Sequence, residues 1–150
     1  MSRKVLPLAL ASAALAATAM TASVRHFDVL ASFTPPKKAG GVGAVAVTFR
    51  ALDPDLRLNE TPAPRLKLDL AQFVLVDKQP PPSGEAPAYD PLTAKYLDLA
   101  KPVLFPVAVL PAASRGESLV KASVVFFYCS EREDWCRRGT AEVEIPVTVP

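Results

Sequence analysis

The stretch LVKASVVFFYCSEREDWCRRGTAEVEIPVTV, residues 119–149, decides the fold of this chain. Two runs of alternating apolar residues flank a short charged segment, which is the pattern of two antiparallel strands joined by a hairpin. The apolar faces of the two runs consist of Val120, Ala122, Val124 and Phe126, and of Ala141, Val143, Ile145 and Val147. The stretch therefore predicts a long hairpin with one side in a hydrophobic core.

The same stretch holds the two cysteines of the chain, Cys129 and Cys136. If they lie opposite each other, the two apolar faces coincide and Lys121 falls opposite Glu144, a favourable cross-strand charge pair. Opposed residues in an antiparallel ladder lie about 4.5 to 5.5 Å apart, which suits a disulfide. We therefore predict a disulfide across the hairpin. By strand alternation, both sulfurs are expected on the solvent-side face near the hairpin tip.

The rest of the chain is also rich in strand patterns. Apolar alternation or short apolar runs occur in residues 27–33, 45–49, 66–70, 74–76 and 103–110. Pro7 is the one proline in the first 22 residues, so 15 of the 16 prolines follow, and this density argues against long helices. About seven or eight short strands separated by turn signals predict an all-β fold, an immunoglobulin-like antiparallel two-sheet sandwich.

Residues 1–22 differ from the rest of the chain. Arg3 and Lys4 precede an apolar, small-residue run at 5–19, and small residues suitable for cleavage follow. The run is about 15 residues long, whereas a membrane-spanning helix needs roughly 20. We predict a signal peptide at 1–22 and an exported domain at 23–150, in a periplasm or another exported location; an uncleaved membrane anchor is the alternative.

Loss of the leader would remove Arg3 and Lys4, leaving 15 of the 17 basic residues against 15 acidic ones. A neutral domain lacks the dense cationic face that phosphate backbones require, so nucleic acid is not an expected partner. The single histidine, His26, is expected at the surface. One histidine does not make a metal site or a hydrolytic triad, because both need further partner side chains. No cofactor is predicted.

The cysteine pair has two possible roles, a structural brace or a redox centre. Closing the loop between the cysteines contributes only about 2.5 kcal/mol to stability, and a domain of this size buries a core without it. Arg137 and Arg138 favour a thiolate at Cys136, whereas the acidic residues after Cys129 disfavour one there. Both roles stay open at this point, and Cys136 is the predicted attacking sulfur if the pair exchanges.

Three segments carry a family resemblance: DPDLRLNETPAPRLKLDL (53–70), VLFPVAV (103–109) and VKASVVFFYCSEREDWCRRGTAEVEIPVTV (120–149). Together they resemble the N-terminal periplasmic domain of the thiol:disulfide interchange reductase DsbD and its relatives. The resemblance implies an immunoglobulin-like sandwich whose cysteines pass electrons between a membrane-embedded thiol reductase and periplasmic acceptors, such as thioredoxin-like proteins. It also implies that Cys136 forms the mixed disulfide, that Cys129 resolves it, and that aromatic residues shield the pair. Phe127, Tyr128 and Trp135 are the candidates for that shield.

The chain departs from the family pattern in two respects. Six residues separate the cysteines, one more than the pattern has, and the sequence ends at Pro150 without the membrane and thioredoxin-like domains of the full reductase. Electrons are then expected to come from a separate protein. The alternative function is a non-catalytic immunoglobulin-like binding or assembly module with a structural hairpin disulfide.

Residues 78–96 form the one long connection without a strand pattern. They are rich in proline, which is typical of a surface loop. Long ordered connections in compact domains also serve as lids over functional sites. The sequence leaves both interpretations open.

Overall fold

The computed structural model describes residues 21–38, 40–68, 73–77 and 84–150. Within these residues the regular structure consists of nine β-strands: β1 (Thr21–Val24), β2 (Phe27–Thr34), β3 (Val42–Ala51), β4 (Leu56–Leu58), β5 (Arg65–Leu68), β6 (Phe73–Leu75), β7 (Val103–Val109), β8 (Gly116–Ser130) and β9 (Trp135–Val149). No helix in this part of the chain is long and apolar enough to cross a membrane. The all-β prediction is confirmed.

The strands form two antiparallel sheets. The first has the order β1-β2-β3-β7-β6, and in the second β8 is central, with β9 along one edge and β4 and β5 sharing the other. The inner faces pack through aromatic rings, since the ring centroid of Phe126 lies 5.6 Å from that of Phe27 and 5.0 Å from that of Phe49. This packing confirms a two-sheet sandwich, and its immunoglobulin-like identity stays a prediction.

The hairpin of β8 and β9 has the predicted register. Cys129 lies opposite Cys136, Lys121 opposite Glu144, and Val124 opposite Ala141. Both strands are 15 residues long and extend beyond the predicted runs. Backbone hydrogen bonds hold a ladder together whatever the side chains, so the polar residues at the ends also pair although they show no apolar alternation.

The sequence predictions and the structure coincide only in part for the short strands and the N-terminal segment. The short strands β1 and β4 have only four and three residues, too few to show a period, and they were not predicted. The predicted strand at 66–70 is confirmed as far as Leu68, and its last two residues lie outside the described part. Residues 1–20 of the predicted signal peptide also lie outside it, and its last two residues, Thr21 and Ala22, begin β1.

Gly139 in β9 lies where the ring of Phe126 crosses from the opposite strand. The two residues are direct partners in the ladder, and Phe126 is fully buried. A Cβ at position 139 would lie 2.5 Å from Cζ of the ring, closer than a real contact allows. The absence of a side chain at Gly139 therefore makes room for a central ring of the core.

Candidate functional site

The hairpin disulfide lies on the outer face of the second sheet. Cys129 and Cys136 are bonded to each other, with Cα atoms 4.0 Å apart. Alternation puts both on the side of Lys121 and Glu144, as predicted. Their burial differs, because Cys129 is 1% exposed and Cys136 is half-buried. The prediction that both sulfurs are exposed is therefore wrong for Cys129.

Residues 84–96, here called the cover segment, bury Cys129. Together with Asn59 and Thr61 they surround a cavity of about 120 Å³ that both cysteines line, and their contributions are Pro87, Ala88, Asp90, Thr93, Ala94 and Lys95. Of the two interpretations of residues 78–96, the described part therefore supports the lid. The cover segment therefore forms one wall of the half-open cavity that both cysteines line.

The cover segment is attached at both ends. At its C-terminal end, Glu60 N donates to Lys95 O at 2.9 Å, and Tyr96 forms a β-bridge with Asn59. At its N-terminal end, Arg138 Nη1 donates to Gly84 O at 3.1 Å.

The middle of the cover segment is a turn closed by Asp90. Its carboxylate accepts hydrogen bonds from the backbone N–H of Leu92 and from the hydroxyl of Thr93. These bonds lower the pKa of the Asp90 carboxyl, and the bond from Thr93 has the largest effect. The cover segment is thus an ordered loop with its own hydrogen bonds.

The three aromatic residues of the expected shield divide between the two faces of the sheet. Phe127 shares the face of Cys129 and is 1% exposed. Tyr128 points into the core, where its ring lies 5.1 Å from that of Phe27, and Trp135 contacts Tyr128 with ring centroids 5.8 Å apart. Alternation therefore leaves Phe127 as the member of the shield on the disulfide face.

The two arginines after Cys136 divide in the same way. Arg138 lies on the disulfide face and holds the cover segment, as described above. Arg137 lies on the other face, where its guanidinium stacks 4.1 Å from the centroid of the Trp135 ring. Arg138 is therefore the arginine whose charge lies on the same face as Cys136. From the sequence, both arginines were expected to favour a thiolate there.

His26 is more enclosed than the sequence suggested. It lies in the β1–β2 turn and is half-buried, with its ring centroid 5.6 Å from that of Tyr128 and 5.7 Å from that of Trp135. Arg137 Nη1 is 3.5 Å from its Nε2. The imidazole is therefore a partly exposed surface group that also packs against two aromatic rings, because the turn folds over the core side of the hairpin end.

The hairpin tip is tied to the loop between β3 and β4 through Asp55. The Ser130 hydroxyl, which is buried, donates to Asp55 Oδ2, and Arg132 N donates to Asp55 Oδ1 at 2.8 Å. The pKa of the Asp55 carboxyl is lowered, and the hydrogen bond from Ser130 has the largest effect. Glu133 N in turn donates to Ser130 Oγ at 3.1 Å. This network connects the segment between the two cysteines to the loop between β3 and β4.

Asn59, immediately after β4, contacts the buried sulfur. Its Oδ1 lies 3.0 Å from Cys129 Sγ, and the residue is 5% exposed. Its backbone N–H donates to Phe127 O at 2.9 Å, which places the side chain beside the cysteine two residues further along β8. Sequence analysis missed both Asn59 and Asp55, although both fall in the segment 53–70 that carries part of the family resemblance.

A larger cavity of about 500 Å³ lies elsewhere, lined by Thr21, Ala22, Lys121, Glu142, Val143 and Glu144. Lys121 is eight residues along β8 from Cys129, which corresponds to about 26 Å of extended strand. That cavity therefore has no access to the disulfide. Among the residues that the structure describes, no three His, Cys, Asp or Glu side chains are grouped so that they could hold a metal ion.

Comparisons of the chain with protein-family models, with curated proteins and with solved structures found no match.

Proposed function

We propose that this protein is an exported thiol:disulfide exchange domain that passes electrons through Cys129 and Cys136. The observation that carries the proposal is the unequal burial of the two sulfurs: Cys136 is half-buried, while Cys129 lies behind it at 1% exposure. In exchange, a thiolate attacks one sulfur and the other leaves. Unequal access selects Cys136 as the attacked sulfur and Cys129 as the leaving group.

Reduction of the domain takes place in two thiol attacks. A partner thiolate attacks Cys136 Sγ, the intramolecular S–S bond breaks, and its electron pair and a proton end on Cys129 Sγ. A second partner thiol then attacks the mixed disulfide and releases Cys136 as a thiol. Two electrons and two protons thus pass from the partner to this domain. In the opposite half-reaction the Cys136 thiolate attacks an acceptor disulfide, and Cys129 resolves the intermediate.

The cover segment gives this chemistry its selectivity. The cavity beneath it is about 120 Å³, smaller than the 300 Å³ or so of an ordinary small-molecule pocket, and both cysteines line it. A partner must therefore displace the cover segment or insert a narrow cysteine-bearing loop. Redox proteins with an exposed cysteine pair fit this requirement, namely thioredoxin-like periplasmic proteins or a membrane-embedded thiol reductase, the partners that the family resemblance implies.

Trapping the partner tests the proposal. Cys129→Ser leaves Cys136 without its resolving cysteine, so it should accumulate a mixed disulfide with a thioredoxin-like protein or reductase. Cys136→Ser is the matched control, because the remaining Cys129 is buried and should trap far less. Equal trapping by both variants, or none by either, contradicts the proposed roles.

A measured reduction potential separates this function from the second candidate, a non-catalytic module in which the disulfide braces the hairpin. The burial of Cys129 favours that candidate. Structural disulfides have potentials below about −300 mV and resist glutathione, whereas exchanging ones have higher potentials. We expect equilibration with a glutathione buffer to give a value above that limit. A reduction potential below that limit would show that the disulfide is a structural brace of the hairpin.

A further inference from the structure

The contact between Asn59 and Cys129 has a different meaning in the two redox states. In the disulfide, Cys129 Sγ carries no proton, so the Asn59 Oδ1 atom 3.0 Å away accepts nothing from it. Both residues are almost fully buried. Reduction gives Cys129 a thiol proton at the distance and place where Oδ1 can accept it.

We propose that Asn59 is a positioning residue for the exchange reaction: its side-chain oxygen accepts a hydrogen bond from the Cys129 thiol and so favours the dithiol state. The inference rests on the proposed function, which it deepens. In the reductive step the S–S bond breaks, the electron pair stays on Cys129 Sγ, and the proton that this sulfur takes up completes the bond to Oδ1. In the oxidative direction the Cys136 thiolate first forms a mixed disulfide with an acceptor; Cys129 then loses that proton, its sulfur attacks Cys136 Sγ, and the two electrons leave with the acceptor as its thiol.

Two backbone contacts hold Asn59 beside Cys129. Asn59 N donates to Phe127 O, and the β-bridge to Tyr96 joins Asn59 to the cover segment. These contacts keep the Asn59 backbone next to Cys129, within reach of the thiol that reduction forms. The bond also separates the roles of the two cysteines, because a thiol that donates a hydrogen bond is held in its neutral form. Cys129 is then the poor nucleophile of the pair and Cys136 the attacking one.

The first measurement is the redox equilibrium with glutathione for wild type, Asn59→Ala and Asn59→Asp. One hydrogen bond is equivalent to a factor of about two to ten in an equilibrium constant. Asn59→Ala should shift the equilibrium toward the disulfide by about that factor, up to about 30 mV for a tenfold change. Asn59→Asp retains an acceptor oxygen and should not shift it in that direction.

The second measurement is the pKa of the Cys129 thiol in a Cys136→Ser background, followed by thiolate absorbance. Loss of the acceptor in Asn59→Ala should lower this pKa, and the carboxylate of Asn59→Asp should raise it, because a nearby negative charge disfavours the thiolate. Val47→Ala is the control for a purely structural effect. It removes core volume from the other sheet, so it should lower stability but leave the equilibrium and this pKa unchanged.

The outcomes distinguish this inference from the function on which it rests. If wild type equilibrates with glutathione but Asn59→Ala changes neither the equilibrium nor the Cys129 pKa, the role of Asn59 is refuted and exchange stands. If wild type resists glutathione, the proposed exchange function fails. The pKa shifts of the two Asn59 variants then still decide whether Asn59 accepts the thiol hydrogen bond.

Discussion

Arg138 donates a hydrogen bond from Nη1 to the carbonyl oxygen of Gly84 at 3.1 Å, and so joins the disulfide hairpin to the first described residue of the cover segment. The neighbouring Arg137 lies on the opposite face, stacked on Trp135. Two adjacent arginines of identical chemistry thus have separate tasks. This separation makes them a matched pair for testing how the cover segment is held.

Arg138→Ala should loosen the cover segment. The change removes one exposed hydrogen bond, so amide hydrogen exchange within residues 84–96 should accelerate about two- to threefold, the lower part of the range for a single bond. Arg137→Ala is the control and should leave this exchange at the wild-type rate. Equal exchange rates in the two variants would show that Arg138 does not retain the segment.

Asp55 should make stability depend on pH in acid. The hydrogen bonds from Ser130 and from Arg132 N lower its folded-state pKa below the ordinary 3.8. The stabilisation is therefore present above the unfolded-state pKa and is lost as the pH falls through the folded-state pKa. Asp55→Asn should unfold at lower denaturant than wild type at pH 7, and the difference should shrink below about pH 4. Urea titrations at both pH values measure it.

The exposed Glu85 provides the control for this pH effect. Glu85→Gln should run parallel to wild type at both pH values, since this side chain is exposed. An Asp55→Asn variant whose deficit stays constant between pH 7 and acid would refute the assignment.

Gly139→Ala should destabilise the core. The new Cβ would lie 2.5 Å from Cζ of the Phe126 ring, and overpacking of this kind costs about 1–3 kcal/mol. Equilibrium urea unfolding measures the loss. Because the clash involves one ring, the double variant Gly139→Ala, Phe126→Leu should lose less than the sum of the single variants. Strict additivity would place the cause elsewhere.

Removal of the disulfide should leave a folded protein. In Cys129→Ala, Cys136→Ala the unfolded chain regains the entropy of a short loop, about 2.5 kcal/mol. The core of the two sheets, which includes Phe27, Phe126 and Ile145, is built without either cysteine. We expect a cooperative unfolding transition shifted by about that amount. Loss of cooperative unfolding would show that the disulfide is required for the fold.

The register of the hairpin was predictable because side chains alternate along a strand. A slip by one residue would turn the apolar set of β9 from the core to solvent, so a single register brings Val124 opposite Ala141 and Cys129 opposite Cys136. Strands β1 and β4 were not predictable in this way, since three or four residues carry no clear period. They form because neighbouring strands offer backbone partners.

The sequence by itself determined the all-β class, the pairing of Cys129 with Cys136 and the face of the sheet that bears them, because alternation is a local property of the chain. Tertiary structure alone decided that Cys129 is buried while Cys136 stays partly open. The cover segment lies over them from another part of the chain, and Asn59 contacts Cys129 across a separation of 70 residues. A local sequence pattern does not predict where an irregular segment lies in the fold, because its position depends on contacts with residues that are distant in the sequence.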